Sequence, residues 1–254
     1  MEVFNKNKTL KGFLSKISNE ISVGFVPTMG ALHKGHLSLI ERAKEENDVV
    51  VVSIFVNPTQ FDNKEDLVKY PKNLDKDLEF LENVNCDAVF APNAIEIYQN
   101  KIQAESFDFD GLEHEMEGKH RNGHFDGVGT IVKKLLEIVN PDKAYFGEKD
   151  FQQLQIIKKL VEKCNLPVEI IGCAIFREKD GLAMSSRNTR LTKTERAEAP
   201  FIYKTLKAAK NLEYFEIANE TTLKPDKQKM ANDNYRAFLA VFAGEIRLID
   251  NIAL

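Results

Sequence analysis

Apolar and polar positions along this chain fall into blocks that suit parallel βαβ units. Residues 21–26 form an apolar run that predicts a strand, and the spacing over 37–43 predicts the amphipathic helix after it. Residues 49–56 are apolar on both faces except at Ser53, as a central parallel strand requires, and the polar stretch 57–72 reads as a loop. Leu74, Leu78 and Leu81 lie at helical spacing within 73–83, and 86–91 is a short apolar run closed by Pro92. Val128, Ile131, Val132, Leu135, Leu136 and Val139 mark one face of a helix that Pro141 stops. A strand over 143–146, a helix over 154–161 and a strand over 168–175 complete the alternation.

The pattern predicts an α/β fold whose strands end in polar, Gly- or Pro-bearing loops, with a ligand site where those carboxyl ends meet. Residues 103–117 are acidic and weakly patterned, which predicts a loop excursion. After Arg187 the character changes. A Lys- and Ala-rich helix over 193–211 leads to strands over 212–218, 237–243 and 246–249, and this predicts a small C-terminal α/β domain at 177–254 beside a first domain at 1–176.

Composition narrows the class. The 254 residues, 29% of them charged, describe a soluble globular chain, and a net charge of −4 argues against a nucleic-acid partner. The lysine-bearing first twenty residues do not form a signal peptide, and 49–56 is too short to span a bilayer, so a cytoplasmic protein with no membrane partner is expected. Cys86, Cys164 and Cys173 are odd in number and far apart, which predicts reduced thiols.

Four loops carry unusual chemistry. Pro27-Thr28-Met29-Gly30-Ala31-Leu32-His33-Lys34-Gly35-His36 joins the first predicted strand to a helix start, where free N–H groups and the helix dipole favour phosphate. Gly30 and Gly35 permit close approach of a ligand to the backbone, and His33 and His36 share one helical face. Zinc ligation is the rival reading of that histidine pair, although no cysteine lies near it and the His-Glu-x-x-His general base is missing. Asn57-Pro58-Thr59-Gln60 offers neutral amides for hydroxyl and carboxylate groups. His120-Arg121-Asn122-Gly123-His124 precedes a helix. Gly147-Glu148-Lys149-Asp150 sets a cation at a strand end with Gln153 one helical turn beyond, although such a charge run is more often a solvated face. The last loop, 177–188, ends in Met184-Ser185-Ser186-Arg187, where two hydroxyls and a guanidinium can clamp a triphosphate; its bland reading is a capped helix start at Asn188.

The stretches PTMGALHKGHLSLI, FVNPTQF, GHFDGVGTIVKKLLEIVNPDKAYFGEKDFQQ and REKDGLAMSSRN, with RLIDN near the C-terminus, resemble in order and spacing the pantothenate synthetase (pantoate–β-alanine ligase) family. The resemblance implies a Rossmann-type sheet with helices on both faces in the nucleotidyltransferase superfamily, and a homodimer. It implies ATP and Mg²⁺, with pantoate and β-alanine as substrates. Pantoate's carboxylate would attack the α-phosphorus of ATP and release pyrophosphate, and the amine of β-alanine would then displace AMP from the acyl-adenylate. Carried over by position, His33 and His36 contact ATP phosphates and, with Lys149 and Arg187, carry the chemistry. Met29, Gly30, Gly147, Asp150, Phe176, Met184, Ser185 and Ser186 belong to the nucleotide site. Gln60 and Gln153 hold pantoate, Asn57 and Arg121 are secondary polar positions, and Asp77 matches a carboxylate near magnesium.

This chain departs from the family pattern at three places. Asn122 stands where the family usually has proline, Phe176 where valine is common, and the helices connecting the two parts of the C-terminal domain are missing. Two other classes stay open: a different nucleotidyltransferase acting on a phosphorylated acceptor, and a non-catalytic nucleotide sensor.

Overall fold

The computed structural model describes every residue except 18–19, 63, 100, 209–213, 226–232 and 245. Six parallel strands form the main sheet: β1 (Glu2–Phe4), β2 (Val23–Thr28), β3 (Val49–Ile54), β4 (Ala88–Phe90), β5 (Lys143–Gly147) and β6 (Glu169–Cys173). Their order is β1-β4-β3-β2-β5-β6. From the β2–β5 pair chain order runs outward through β3 and β4 on one side and β6 on the other, with β1 added at the β4 edge, and the crevice of a doubly wound sheet opens at the carboxyl ends of β2 and β5.

Strand alternation serves two cores. Phe25, Val51, Phe90 and Ala144 pack on one face with the helices His124–Val139 and Phe151–Cys164, while Val26, Val50, Val52, Val89 and Tyr145 pack on the other with helix Lys34–Glu46. A valine run serves both faces because each is covered, and each such side chain contributes roughly 1.5–3 kcal/mol on burial.

Several elements go beyond the sequence pattern or correct it. The first residues form β1, which pairs with β4, and helix Asn7–Leu14, whose Leu10 is buried in the core. The 57–72 loop contains a 3₁₀ turn, Pro58–Gln60, and helix Lys64–Lys69. Residues 103–117 do run as an irregular loop with one 3₁₀ turn, Leu112–His114, but it is anchored: Phe107 and Phe109 stack with centroids 5.5 Å apart, and Phe109, Leu112 and Met116 are core residues. The 193–211 helix is two helices, Lys193–Glu198 and Phe201–Ala208, because Pro200 between them has no N–H to give; residues 209–211 lie outside the description. Asn188 does not start an α-helix; it lies in the 3₁₀ segment Ser186–Arg190, which Ser185 caps, and the next helix is capped by Thr192.

The C-terminal strands β7 (Tyr214–Asn219), β8 (Tyr235–Ala243) and β9 (Ile246–Ala253) form an antiparallel sheet; the first residues of the expected 212–218 strand lie outside the description. One side packs Leu239 and Leu248 with Leu182, Ile202 and Leu206, while Ala218 and Phe238 enter the main core. Arg177 holds the buried Asp250 through two bonds of 2.6 and 2.9 Å and stacks on Tyr203, so the segment after β6 is tied to β9. All three cysteines are free, and among the described residues no helix is long and apolar enough to cross a membrane.

The turn after β2 is the feature that shapes the crevice. Gly30 has φ +79° and Ala31 φ +51°, so two successive residues are left-handed. Asp77, near the start of helix Leu74–Asn83, accepts the backbone N–H of Ala31 at 2.9 Å and of Leu32 at 2.7 Å. A Cβ on residue 30 would lie 2.8 Å from the Asp77 carboxylate, so glycine is needed for space as well as for φ. Replacing Asp77 with asparagine leaves one acceptor for two buried donors and should lower unfolding free energy by about 2 kcal/mol. Chemical denaturation with and without Mg²⁺ checks this: the loss should be the same in both, whereas a metal ligand would lose only the Mg²⁺-dependent part.

Candidate active site

Two adjoining cavities, of about 250 and 730 Å³, lie at the carboxyl ends of β2 and β5. Met29, Gln60, Lys149, Asp150, Gln153, Ser185 and Arg187 line both. His33, His36, Asn57, Gly147, Phe176, Met184 and Ser186 line the smaller one, and Arg121 the larger. Loops far apart in the sequence thus supply one crevice, in agreement with the motifs. Gly30 and Asp77 line neither cavity. Asp77 is 3% exposed and both its oxygens accept backbone N–H, so it braces the turn.

The histidines open helix Lys34–Glu46, with ring centroids 4.0 Å apart. The His33 backbone N–H donates to His36 Nδ1 at 3.2 Å, so the His36 proton sits on Nε2. His33 Nδ1 is buried and has no protein partner among the described residues. Burial, helped by Lys149, lowers His33 to about 4, and burial, helped by His33, lowers His36 to about 3. Both rings are therefore neutral at pH 7 and can donate to an arriving anion through N–H.

Lys149 sits on the 3₁₀ turn after β5 and pairs with Asp150 at 3.2 Å. Burial opposes ionisation of Asp150, but Lys149 beside it holds the carboxyl below its usual range. The turn is gripped from the C-terminal sheet: Asn251 donates through Nδ2 to the carbonyls of Glu148 and Lys149 at 3.0 and 2.9 Å, and Arg236 donates to Asn251 Oδ1. Arg187 meets Asp66 of helix Lys64–Lys69 at 2.8 Å, and Arg190 meets the other oxygen at 2.6 Å. Burial alone would raise the Asp66 carboxyl, yet these two guanidiniums hold it low. The short helix thereby fastens the Ser185–Arg187 loop over the crevice from the main domain.

The amide side is built around Gln60. Helix His124–Val139 abuts the 57–60 turn so closely that a Cβ on Gly127 would lie 2.3 Å from the Thr59 carbonyl oxygen. His124, 7% exposed, donates from Nδ1 to the Gln60 carbonyl at 2.8 Å and accepts from Arg121 at Nε2, 3.1 Å away. Burial and Arg121 lower His124 to about 4, so it stays the neutral tautomer that this geometry needs. Gln152 is 4% exposed and donates its NH₂ hydrogens to the carbonyls of Leu112 and Glu115; it borders the larger cavity, whereas Gln153 lines both.

Three positioning residues receive no role from the sequence, although His124 closes the 120–124 loop. His124 and Asn251 lie inside the motif stretches GHFDGV and RLIDN, which is a usable signal. Asp66 sits in a charged stretch with nothing local to distinguish it.

Comparisons with known proteins agree with this geometry. The family model described as pantoate-beta-alanine ligase matches residues 2–253. A pantothenate synthetase of Christiangramia forsetii is 53% identical over 281 aligned positions, taking in 100% of this chain and 99% of the relative. That of Flavobacterium psychrophilum is 52% identical, with both chains fully covered. An alignment longer than the 254-residue chain means these relatives carry sequence that this chain lacks. Among solved structures, pantothenate synthetase from Thermus thermophilus superposes with a TM-score of 0.91 at 37% identity, covering 99% of each chain. Pantoate-beta-alanine ligase from Francisella tularensis, complexed with beta-gamma ATP and beta-alanine, gives 0.88 at 38% identity, covering 100% of this chain and 97% of the other. With that match along its length and the motif residues gathered in one crevice, the chain belongs to the pantoate–β-alanine ligase family.

Proposed function

We propose that this protein condenses pantoate with β-alanine at the expense of ATP, giving pantothenate, AMP and pyrophosphate through a pantoyl-adenylate. The observation that carries the reading is the junction of two chemistries in one crevice. Neutral His33 and His36, Lys149 and Arg187 provide for phosphate, and Gln60, Gln153 and Asn57 provide uncharged amides for a hydroxy acid. An acceptor bearing its own phosphate would call for cations in place of Gln60 and Gln153, and the Arg121 guanidinium beside them is directed to His124 and the Gln60 carbonyl; a sensor would need no second pocket.

In this reading the triphosphate lies along the Lys34–Glu46 helix start, with the Ser185–Arg187 loop over it. The reaction asks the protein mainly to align pantoate's carboxylate with the α-phosphorus and to answer the charge that develops, and His36 Nε2–H, Lys149 and Arg187 supply that answer. β-Alanine then attacks the acyl carbon, and no protein nucleophile is needed. Magnesium arriving with the nucleotide supplies charge neutralisation on the phosphates; such an ion needs only one or two carboxylates beside phosphate oxygens, and Asp150, which lines both cavities, fits that demand. Met29, Gly147, Phe176 and Met184 would wall the adenosine, with Gly30 shaping the turn beneath. Residues 177–254 act as the cover, although abbreviated. A cytoplasmic homodimer completes the reading on the strength of the family resemblance.

Exchange of labelled pyrophosphate into ATP tests the first half-reaction. It should require pantoate and Mg²⁺ but not β-alanine; an enzyme that makes ADP and an acyl-phosphate would give no exchange and would end this reading. His36→Ala should fold and lose about 10²–10³ in kcat, the size expected for one donor to developing charge; turnover near wild type in a folded variant would remove His36 from the mechanism.

The histidines also set a pH dependence. His33, His36 and His124 each have a folded pKa below the unfolded value near 6.5, so between about 4 and 6.5 the unfolded chain binds more protons and stability falls as pH drops. The slope is at most about 1.4 kcal/mol per pH unit for each histidine. Denaturation of the ligand-free protein at pH 7, 6 and 5 should show this decline, and His33→Gln should make it shallower; an unchanged slope would mean that His33 is not held neutral.

A further inference from the structure

Gln60, like Gln153, reaches both cavities from the amide side, and a glutamine can present either oxygen or NH₂ to a substrate. Which end it presents is decided behind it. Asn57 is 1% exposed, and two backbone groups fix its own orientation. The Gly127 carbonyl lies 3.1 Å from Asn57 Nδ2 and can only accept, while the Thr59 N–H points to Asn57 Oδ1 at 3.4 Å and can only donate. Asn57 Nδ2 is therefore a donor, and the Gln60 atom 2.9 Å from it must be the carbonyl oxygen Oε1. The free end of Gln60 is consequently its NH₂.

One residue outside both cavities completes the arrangement. Tyr98 ends the single-turn helix Ala94–Tyr98, is 7% exposed, and donates its hydroxyl hydrogen to Asn57 Oδ1; Thr59 Oγ1 lies 3.0 Å from the same hydroxyl. Its ring packs beside Phe55. The helix is anchored in turn by the N-terminal segment, since Glu96 accepts the Asn7 backbone N–H at 2.8 Å and its carbonyl accepts from Asn7 Nδ2 at 3.1 Å. Tyr98, Thr59 and Gly127 line neither cavity, and the Tyr98 bond takes its direction from Asn57 Oδ1, which can only accept.

We infer that Tyr98 is a positioning residue for the acid substrate: through Asn57 it holds Gln60 with NH₂ toward the cavity, so that this position recognises an oxygen lone pair on a hydroxy acid. The inference rests on the proposed function for the identity of that acid. Tyr98 strengthens the Asn57 anchor, and Asn57 sets the sign.

The test is steady-state pyrophosphate exchange with pantoate and ATP varied separately, in wild type, Tyr98→Phe and Asn57→Asp. Tyr98→Phe keeps the ring against Phe55 and should raise the KM for pantoate about tenfold, as loss of one anchoring hydrogen bond would, with KM for ATP and kcat within about twofold. Asn57→Asp offers Gln60 only acceptors, so the amide turns its NH₂ away from the cavity; the KM for pantoate should rise further, by about a hundredfold for a reversed buried contact, again with KM for ATP little changed. Melting curves report folding for both, and if Tyr98→Phe does not fold, Asn57→Asp carries the test alone. A pantoate KM within twofold of wild type in the folded variants, or equal rises in both substrates' KM, overturns the inference. Absence of pantoate-dependent exchange in wild type would instead overturn the proposed function.

Discussion

The pair of hydrogen bonds from the N–H groups of Ala31 and Leu32 to Asp77 is the constraint on which the crevice depends. Two consecutive left-handed residues are costly for the chain, and at Ala31 the cost falls on a residue with a Cβ. A buried carboxylate that accepts from both neighbouring amides offsets that cost. The turn then delivers His33 as the residue flanking a helix start, with its own N–H aimed at His36 Nδ1. Tautomer, neutrality and direction of the His36 donor all follow from the backbone path that Asp77 holds.

The same economy recurs on the other sides of the crevice. Lys149 is held through its carbonyl by Asn251, Gln60 through its carbonyl by His124, and Arg187 through its guanidinium by Asp66. Each partner is half-buried or buried and comes from a different element, so residues of the crevice wall are fixed from behind while their other atoms stay available. That division is what a site for charge development requires, because groups already aligned need no reorganisation when the charge appears.

Legibility in the sequence follows the range of the interactions. β2, the turn and helix Lys34–Glu46 are readable because apolar period, glycine and histidine spacing are local signals, and β3 is readable because four consecutive valines suit a sheet covered on both faces. β1 is not, since its three residues become a strand only when β4 offers its edge from far along the chain. Phe109, Leu112 and Met116 escape a reading by periodicity because they follow neither period; they are buried in the main core, with Phe107 half-buried against it, without regular backbone of their own beyond one 3₁₀ turn. The break at Pro200 is visible in the letters, yet the helical composition around it argues the other way. Asp77 is legible as important but not in kind, because a carboxylate's partner, metal or amide, is a matter of three-dimensional neighbours.

The abbreviated C-terminal segment can be understood on the same terms. Its sheet does not rest on the main core by apolar contact alone; Arg236 lies 4.0 Å over the Phe151 ring, pairs with Glu220 and donates to Asn251, which in turn grips the Lys149 turn. Asp250, beside Asn251, holds Arg177 where the chain leaves the main sheet. The two residues of the RLIDN stretch that fasten the sheet therefore also fasten the phosphate side of the crevice. Both residues lie on β9 itself, and so a cover without the connecting helices can keep the register between β9 and the Lys149 turn on which a closed site depends.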